Sequence, residues 1–290
     1  MKKIIAMIAC LSVIFGLTGC GSGELSSSNS SDSKSKEPKE ISMNDIDWTV
    51  EQGINDNSIR CYLYTITNNS EYTIVDFMIS FTEKGDISEE DHNAMVDELA
   101  DEYEWPDEDR EALREEGVTA YLDTHDIYLP AGESYNGECS ALGMILTSDS
   151  VYNNTEADIA TIEYIDGDRV ITAHYDFKSE KMTIEADSDE AFGAFPTEGI
   201  CADLPECNFE ECIYELDDLE SDSIDICAYN ASKEDLTEYI NTLQEAGFTV
   251  DDRSYLDVSC FECLNSDGLT IELSYESDDG FIEVYVTKDI

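Results

Sequence analysis

Between residues 41 and 190 the chain alternates apolar and polar positions in short runs, which are separated by turn residues. Alternation with a period of two indicates strands that are buried on one face. Turn-forming residues stand at Asn68-Asn69-Ser70, Pro130-Ala131-Gly132 and Asp166-Gly167-Asp168. The predicted strands are Trp48–Glu51, Ile59–Asn68, Ile74–Thr82, Asp126–Leu129, Ser134–Leu142, Ile159–Ile165, Arg169–Phe177 and Met182–Glu185. Many short strands of this kind predict a mostly β fold, an antiparallel β-sandwich over 41–190.

Residues 83–117 interrupt this alternation with sixteen acidic and three basic residues. Met95, Leu99 and Tyr103 recur every four positions, which predicts one buried stripe of a helix that starts near Ser88. Pro106 suits the first turn of a second helix that ends before Gly117. We therefore expect an acidic helical insertion. A solvated cap on a sheet edge is the favoured interpretation, and a recognition surface is the alternative.

A polar stretch at 187–198 predicts a domain boundary, and a different pattern follows it. Ser232 is a good helix cap, Leu236, Ile240 and Leu243 form a buried stripe, and Gly247 ends the helix. The predicted elements are strands Cys212–Leu216 and Ser223–Tyr229, helix Ser232–Ala246, and strands Asp257–Leu264, Leu269–Tyr275 and Phe281–Thr287. This order predicts a small α+β domain (β-β-α-β-β-β) over 195–290.

The N-terminus has the layout of a secretory signal, with Lys2 and Lys3 before the apolar run Ile4–Phe15. That run is too short to span a bilayer. The run Leu17-Thr18-Gly19-Cys20 resembles the lipobox of bacterial lipoproteins. The resemblance implies that residues 1–19 are a signal peptide and that Cys20 carries lipid at the outer face of the cell membrane. Residues 20–40 are rich in serine and predict a flexible tether.

Two further resemblances concern the folded part of the chain. The segments 64–70 (Tyr-Thr-Ile-Thr-Asn-Asn-Ser) and 129–134 (Leu-Pro-Ala-Gly-Glu-Ser) resemble the immunoglobulin-like domains of bacterial surface lipoproteins. The C-terminal third resembles a family of lipoprotein domains of unknown function. The matching residues there are Phe195-Pro196-Thr197-Glu198-Gly199, Leu204-Pro205, Ser232, Tyr239, Gly247-Phe248-Thr249 and Gly268. Both resemblances imply a fold and no activity.

The charge of the chain excludes one class of partner. Its net charge is −53, and loss of Lys2 and Lys3 with the signal would leave 13 basic against 68 acidic residues, a net charge of −55. Nucleic acid is excluded as a partner because its binding requires a basic patch. Attachment to the membrane must come from the acyl chains, since the protein surface repels anionic headgroups. Low-affinity divalent cation binding stays open, although Asp86–Asp91 and Asp217–Asp225 lack the spacing of a calcium loop.

Eight cysteines remain when Cys10 in the signal and Cys20 are set aside. Export favours disulfides, between Cys61 and Cys139 in the first domain and among the six cysteines of the second. Those six are Cys201, Cys207, Cys212, Cys227, Cys260 and Cys263, and they allow fifteen connectivities. Cys260 and Cys263 have the spacing of a redox pair, but the predicted strand would direct them to opposite faces. A zinc site with Cys207 and Cys212 is a weaker alternative.

Catalytic motifs are absent from the sequence. His92, His125 and His174 stand in no metalloprotease pattern, and no nucleophile elbow or phosphate-binding loop occurs. We therefore expect no catalytic residue, no metal and no cofactor. The predicted function is a non-catalytic, membrane-anchored binding or adaptor module that acts on an envelope or protein partner. The alternatives are an extracytoplasmic thiol-disulfide enzyme that uses Cys260 and Cys263, and cation binding by the acidic surface.

Overall fold

The computed structural model describes residues 40–54, 60–102, 104–124, 127–139, 149–185, 189–216, 222–251, 261–264, 268–276 and 280–288. Every described residue belongs to one compact unit, Pro38–Ile290. The predicted signal, Cys20 and nearly all of the predicted tether therefore lie outside the described residues. None of the helices within the described ranges is long and apolar enough to cross a membrane.

Antiparallel strands make up most of the described structure. They are β1 Ile46–Ile54, β2 Arg60–Asn68, β3 Thr73–Glu83, β4 Thr119–Asp123, β5 Ser134–Cys139, β6 Thr155–Asp166, β7 Arg169–Asp176, β8 Lys181–Ile184, β9 Glu190–Gly193, β10 Cys212–Glu215, β11 Ser223–Ala228, β12 Thr249–Asp251, β13 Phe261–Leu264, β14 Leu269–Glu276 and β15 Phe281–Lys288. The helices are α1 Glu89–Glu102, α2 Asp107–Glu116, α3 Asp149–Asn154 and α4 Lys233–Glu245, with short 3-10 helices at Met43–Asp45 and Gly199–Asp203.

These strands form two sheets. A small sheet has the order β1-β2-β5, and a large one has the order β12-β13-β14-β15-β11-β10-β9-β7-β6-β3-β4, with β8 also paired to β7. Strand β9 joins the halves of the large sheet, because Ala191 pairs with Arg169 on β7 and with Tyr214 on β10. It lies inside the stretch 187–198 that we predicted as a boundary.

The first core lies between the small sheet and one half of the large sheet. Ile66 of β2 packs there with Phe77 of β3 and Ile162 of β6, and each of these side chains is fully buried. Trp48 of β1 closes one side with edge-on contacts to Phe81 and Phe177 at 6.2 and 5.9 Å between ring centroids. Two apolar sheet faces held together in this way form a sandwich.

The second core lies under helix α4. Leu236, Tyr239 and Leu243 are the buried side chains of this helix, and they pack on apolar residues of β11, β14 and β15. The helix begins with a capping box, in which Ser232 and Asp235 bond each other's backbone N–H groups. A smaller cluster of Val75, Val170, Ile213, Tyr229 and Phe281 packs residues from both halves of the large sheet together.

The predicted fold class is confirmed, since the described structure is mostly β with a sandwich, a helical insertion and a later α+β arrangement. The sequence reading missed four short elements, β4, α3, β9 and β12. The extra strand β12 makes the order around α4 β-β-α-β-β-β-β rather than the predicted order. The predicted strand at Asp126–Leu129 is wrong in its described part, because only Leu129 pairs, as an isolated bridge to Ile74.

The two helices of the insertion are held very differently. Helix α1 buries Met95, Val96 and Leu99 completely in the first core. Helix α2 has no buried residue, and Leu113 is only partly buried against the core. The predicted stripe is thus confirmed at Met95 and Leu99, whereas Tyr103 lies outside the described residues. Helix α1 is therefore the anchor of the insertion in the core, and α2 depends on α1 for its position.

Leu99→Ala should lower the free energy of unfolding by about 2–5 kcal/mol, because it opens a cavity in the core. Leu113→Ala should cost clearly less, since that side chain is only partly removed from water. Urea denaturation followed by circular dichroism gives both values. Equal losses for the two variants would contradict the assignment of α1 as the anchor.

Candidate functional site

The structure places the predicted site residues in three groups. Cys20, His125 and Cys260 lie outside the described residues. Cys61, Cys139 and Cys263 lie on strands β2, β5 and β13, where only the backbone is described. The remaining cysteines, Cys201, Cys207, Cys212 and Cys227, lie in the C-terminal half with described side chains.

The backbone register locates the first predicted disulfide pair on neighbouring strands. Cys61 pairs with Gly53 on β1, and Cys139 pairs with Tyr62 on β2. The two cysteines are therefore close in the sheet but are not directly opposite each other. The predicted bond between them stays a prediction.

Three free thiols meet beside the second core. Cys201 lies in the 3-10 helix Gly199–Asp203 and is buried, Cys212 opens β10 and is fully buried, and Cys207 is half-buried between them. All three pack in the apolar cluster under α4. Cys212 donates a weak hydrogen bond to the carbonyl oxygen of Phe209 at 3.7 Å. Cys227 stands apart, since it packs in the cluster between the two halves.

Burial makes these three thiols poor nucleophiles. Burial raises the pKa of Cys201 to about 11, that of Cys207 to about 11 and that of Cys212 to about 12. Each pKa is raised further where thiols are neighbours, with Cys201 acting on Cys207 and Cys207 on Cys212. The thiolate is the reactive form of cysteine, and a catalytic thiol needs a lowered pKa. In this cluster the pKa of each thiol is raised instead.

Of the two cysteines with the spacing of a redox pair, Cys260 and Cys263, the second lies on strand β13. Cys263 pairs with Val250 of β12 and with Ile271 of β14, so it lies inside the sheet. A thioredoxin-type pair requires the start of a helix instead. As for zinc, the described residues hold no group of three His, Cys, Asp or Glu side chains placed to bind a metal ion.

Both described histidines join neighbouring elements. His92 of α1 lies with Nδ1 at 2.9 and 3.0 Å from the carboxylate oxygens of Glu83. The same carboxylate accepts the backbone N–H of Val118 at 2.7 Å, so Glu83 ties the start and the end of the insertion together. His174 lies between Thr161 and Glu185 at 3.1 and 3.3 Å. Such partners fix the position of each ring.

The helical insertion concentrates exposed negative charge. Its two arginines form ion pairs with carboxylates of the insertion itself. Arg110 bonds Asp97 and Asp101 at 2.9 and 2.7 Å, and Arg114 bonds Asp97 at 2.6 Å. Hydrogen bonding to Asp101 raises the pKa of Arg110. Among the acids exposed outside these ion pairs are Glu89, Glu90, Asp91, Asp107, Glu108, Asp109, Glu115 and Glu116. We call α1, α2 and these side chains the acidic hairpin.

A solvent-open cleft lies at the start of α4. Asn208, Glu210 and Asn230 lie on its wall together with Glu211 and Asp235. Three of its polar side chains are engaged within the protein, since Asn230 donates to Glu211 at 2.5 Å and Asp235 accepts the backbone N–H of Ser232. These three groups have less capacity left to bind a ligand.

No protein-family model matches this chain, and no curated protein is significantly similar to it. The two family resemblances in the folded part therefore remain resemblances. The geometry described above is the basis for any functional conclusion.

After mild reduction of the native protein, alkylation at pH 8 should be slower than in urea, on the order of 100-fold at Cys201 and Cys207 and on the order of 1,000-fold at Cys212. The reason is that a pKa near 11 leaves far less thiolate than the ordinary value of about 8.5. Because these pKa values are raised, the rate should increase about tenfold per pH unit up to pH 10. Mass-spectrometric mapping measures each site. Fast labelling of any of the three at pH 7 would contradict the buried cluster.

Proposed function

We propose that this protein is a non-catalytic lipoprotein that is anchored to the outer face of the cell membrane through Cys20 and binds a partner there. The lipobox-like run Leu17–Cys20 and the serine-rich segment support the anchor. The folded unit starts immediately after that segment, because Ile41 and Met43 are already buried in the first core. A tether attached so close to the core would hold the whole unit near the membrane.

The binding role is carried by the acidic hairpin. Its arginines are engaged by Asp97 and Asp101, so they do not offset the exposed acids on α2. Helix α2 has no fully buried residue and therefore contributes little to the core. Charge of one sign on a fixed surface attracts a partner of the opposite sign and raises the rate of association. A basic protein or envelope component fits this surface.

The two alternatives receive less support from the described residues. The thiol-enzyme alternative uses Cys260 and Cys263, and Cys263 lies on strand β13 between β12 and β14 rather than at the start of a helix. Specific cation binding needs converging oxygen ligands, and the described acids form no such group. Disulfides of the exported protein remain part of the proposal, and a disulfide map would assign them.

Cys20→Ser should release folded protein from the membrane fraction, since a polypeptide with a net charge near −55 is repelled by anionic lipid. The matched control is Cys10→Ser in the signal, which should leave the protein anchored. Cell fractionation and intact-mass measurement follow the two variants. Firm membrane attachment of Cys20→Ser protein would show a second anchor and would contradict this part of the proposal.

Neutralising Glu108, Glu115 and Glu116 to glutamine should abolish capture of the partner, because these exposed acids supply much of the charge on α2. The control variant carries glutamine at Glu234, Glu238 and Glu245, which are exposed on α4. It removes the same charge from another helix and should capture normally. Cross-linking on intact cells measures capture. Equal loss in both variants, or no reproducible partner for the native protein, would contradict the binding role.

A further inference from the structure

Strand β4 is an edge of the large sheet. It pairs with β3 from Thr82↔Thr119 to Met78↔Asp123, and no other described strand lies on its far side. Ala120 and Leu122 are buried in the first core, whereas Tyr121 is 44% exposed. An edge strand leaves a row of backbone N–H and C=O groups without strand partners.

The hydrogen bonds around β4 identify which residues face outward. Just beyond the strand, the Thr124 hydroxyl accepts the N–H of Phe77 at 3.0 Å and lies 3.0 Å from its carbonyl oxygen. Just before it, the Val118 N–H bonds Glu83. The backbone N–H and C=O of Phe77 thus face the side of β4, and by alternation so do those of Ile79 and Phe81. Their partners Leu122 and Ala120 therefore direct their backbone groups toward β3. Because directions alternate along an antiparallel strand, Thr119, Tyr121 and Asp123 direct theirs away from the sheet.

Several other described edges are protected, and β4 is less so. Strand β12 has only three residues, and β8 begins with the exposed Lys181. On β1 the Tyr152 hydroxyl donates to the carbonyl oxygen of Val50 at 3.1 Å. Short length, lysine and covering groups are the usual means of blocking an edge. Strand β4 has five residues and carries neither lysine nor proline.

The neighbourhood of β4 selects the charge of an added strand. The acidic hairpin ends at Glu116, three residues before the strand, with Glu115 and Glu116 both exposed. A segment laid along β4 passes this charge, which favours lysine and arginine and disfavours acids. A second copy of the chain is disfavoured for the same reason, since both partners would be strongly negative.

We propose that the outer edge of β4 binds an extended, basic peptide segment of a partner as an added antiparallel or parallel strand. The backbone groups of Thr119 and Tyr121 provide the pairing. Tyr121 provides a cross-strand contact for an apolar side chain, and the acidic hairpin provides the charge preference. This inference rests on the proposed binding function and assigns it a site and a partner chemistry.

The test uses the folded protein and a defined probe, a heptapeptide of alternating lysine and valine. Calorimetry at low ionic strength should show binding, and the alternating glutamate and valine peptide should not bind. Tyr121→Pro removes an outward N–H and no bond to β3, which edge strands tolerate. It should weaken binding about tenfold. Tyr121→Val keeps the N–H and is the matched control, with a smaller loss expected.

Two further measurements separate strand pairing from charge attraction alone. The lysine-valine peptide N-methylated at alternate residues cannot pair through its backbone, so it should bind weakly to the native protein. The glutamine variant of Glu108, Glu115 and Glu116 should bind the unmodified peptide less tightly and with less dependence on salt. Circular dichroism confirms that each variant is folded. If Tyr121→Pro does not fold, the N-methylated peptide decides the matter.

Several results would overturn the inference. Absence of peptide binding, equal binding of both charges, or binding unaffected by N-methylation would each do so. A concentration-dependent dimer that is lost in Tyr121→Pro would show that the edge pairs with a second copy instead. If the peptide fails to bind while cross-linking in cells still depends on the hairpin acids, this inference fails and the proposed function stands.

Discussion

The first half of the structure depends on strand β3 and on the carboxylate at its end. The strand pairs with β4 on one side and β6 on the other, so its inward residues Phe77 and Ile79 are fully buried in the sandwich. At the last position, Glu83 accepts the Val118 N–H and contacts His92. One side chain thus holds both ends of the insertion against the sheet edge. Both the direction of α1 and the start of β4 are determined there.

This arrangement lets a strongly acidic chain fold. Apolar residues form both cores. The acids of α2 remain in water, where solvent and salt weaken the repulsion between them. Burying unpaired carboxylates would cost far more. Arg110 and Arg114 join α2 to Asp97 of α1, and exposed pairs of this kind contribute modestly to stability. Their main consequence is geometric, because they fix a surface of one charge beside the sheet.

The sequence was informative where periodicity extends over many residues. It predicted α1 from Met95 and Leu99 and the second core from the stripe on α4. It missed β4, although Val118, Ala120 and Leu122 alternate, because a five-residue strand directly after a helix gives a weak pattern. It also missed β9, because the polar residues around it indicated a linker. Burial of Cys201 and Cys212 depends on contacts distant in the chain, which spacing does not reveal.

The acidic hairpin and the edge of β4 also depend on contacts that the sequence pattern does not reveal. Acidic residues at 83–117 were evident from composition, but composition does not distinguish a solvated cap from a recognition surface. The distinction depends on topology, since β4 is an edge because β3 is its one neighbour among the described strands. It also depends on the bonds at Thr124 and Val118, which set the outward direction of Tyr121. Charge and an open edge come together only in the folded chain, and each makes the other more selective.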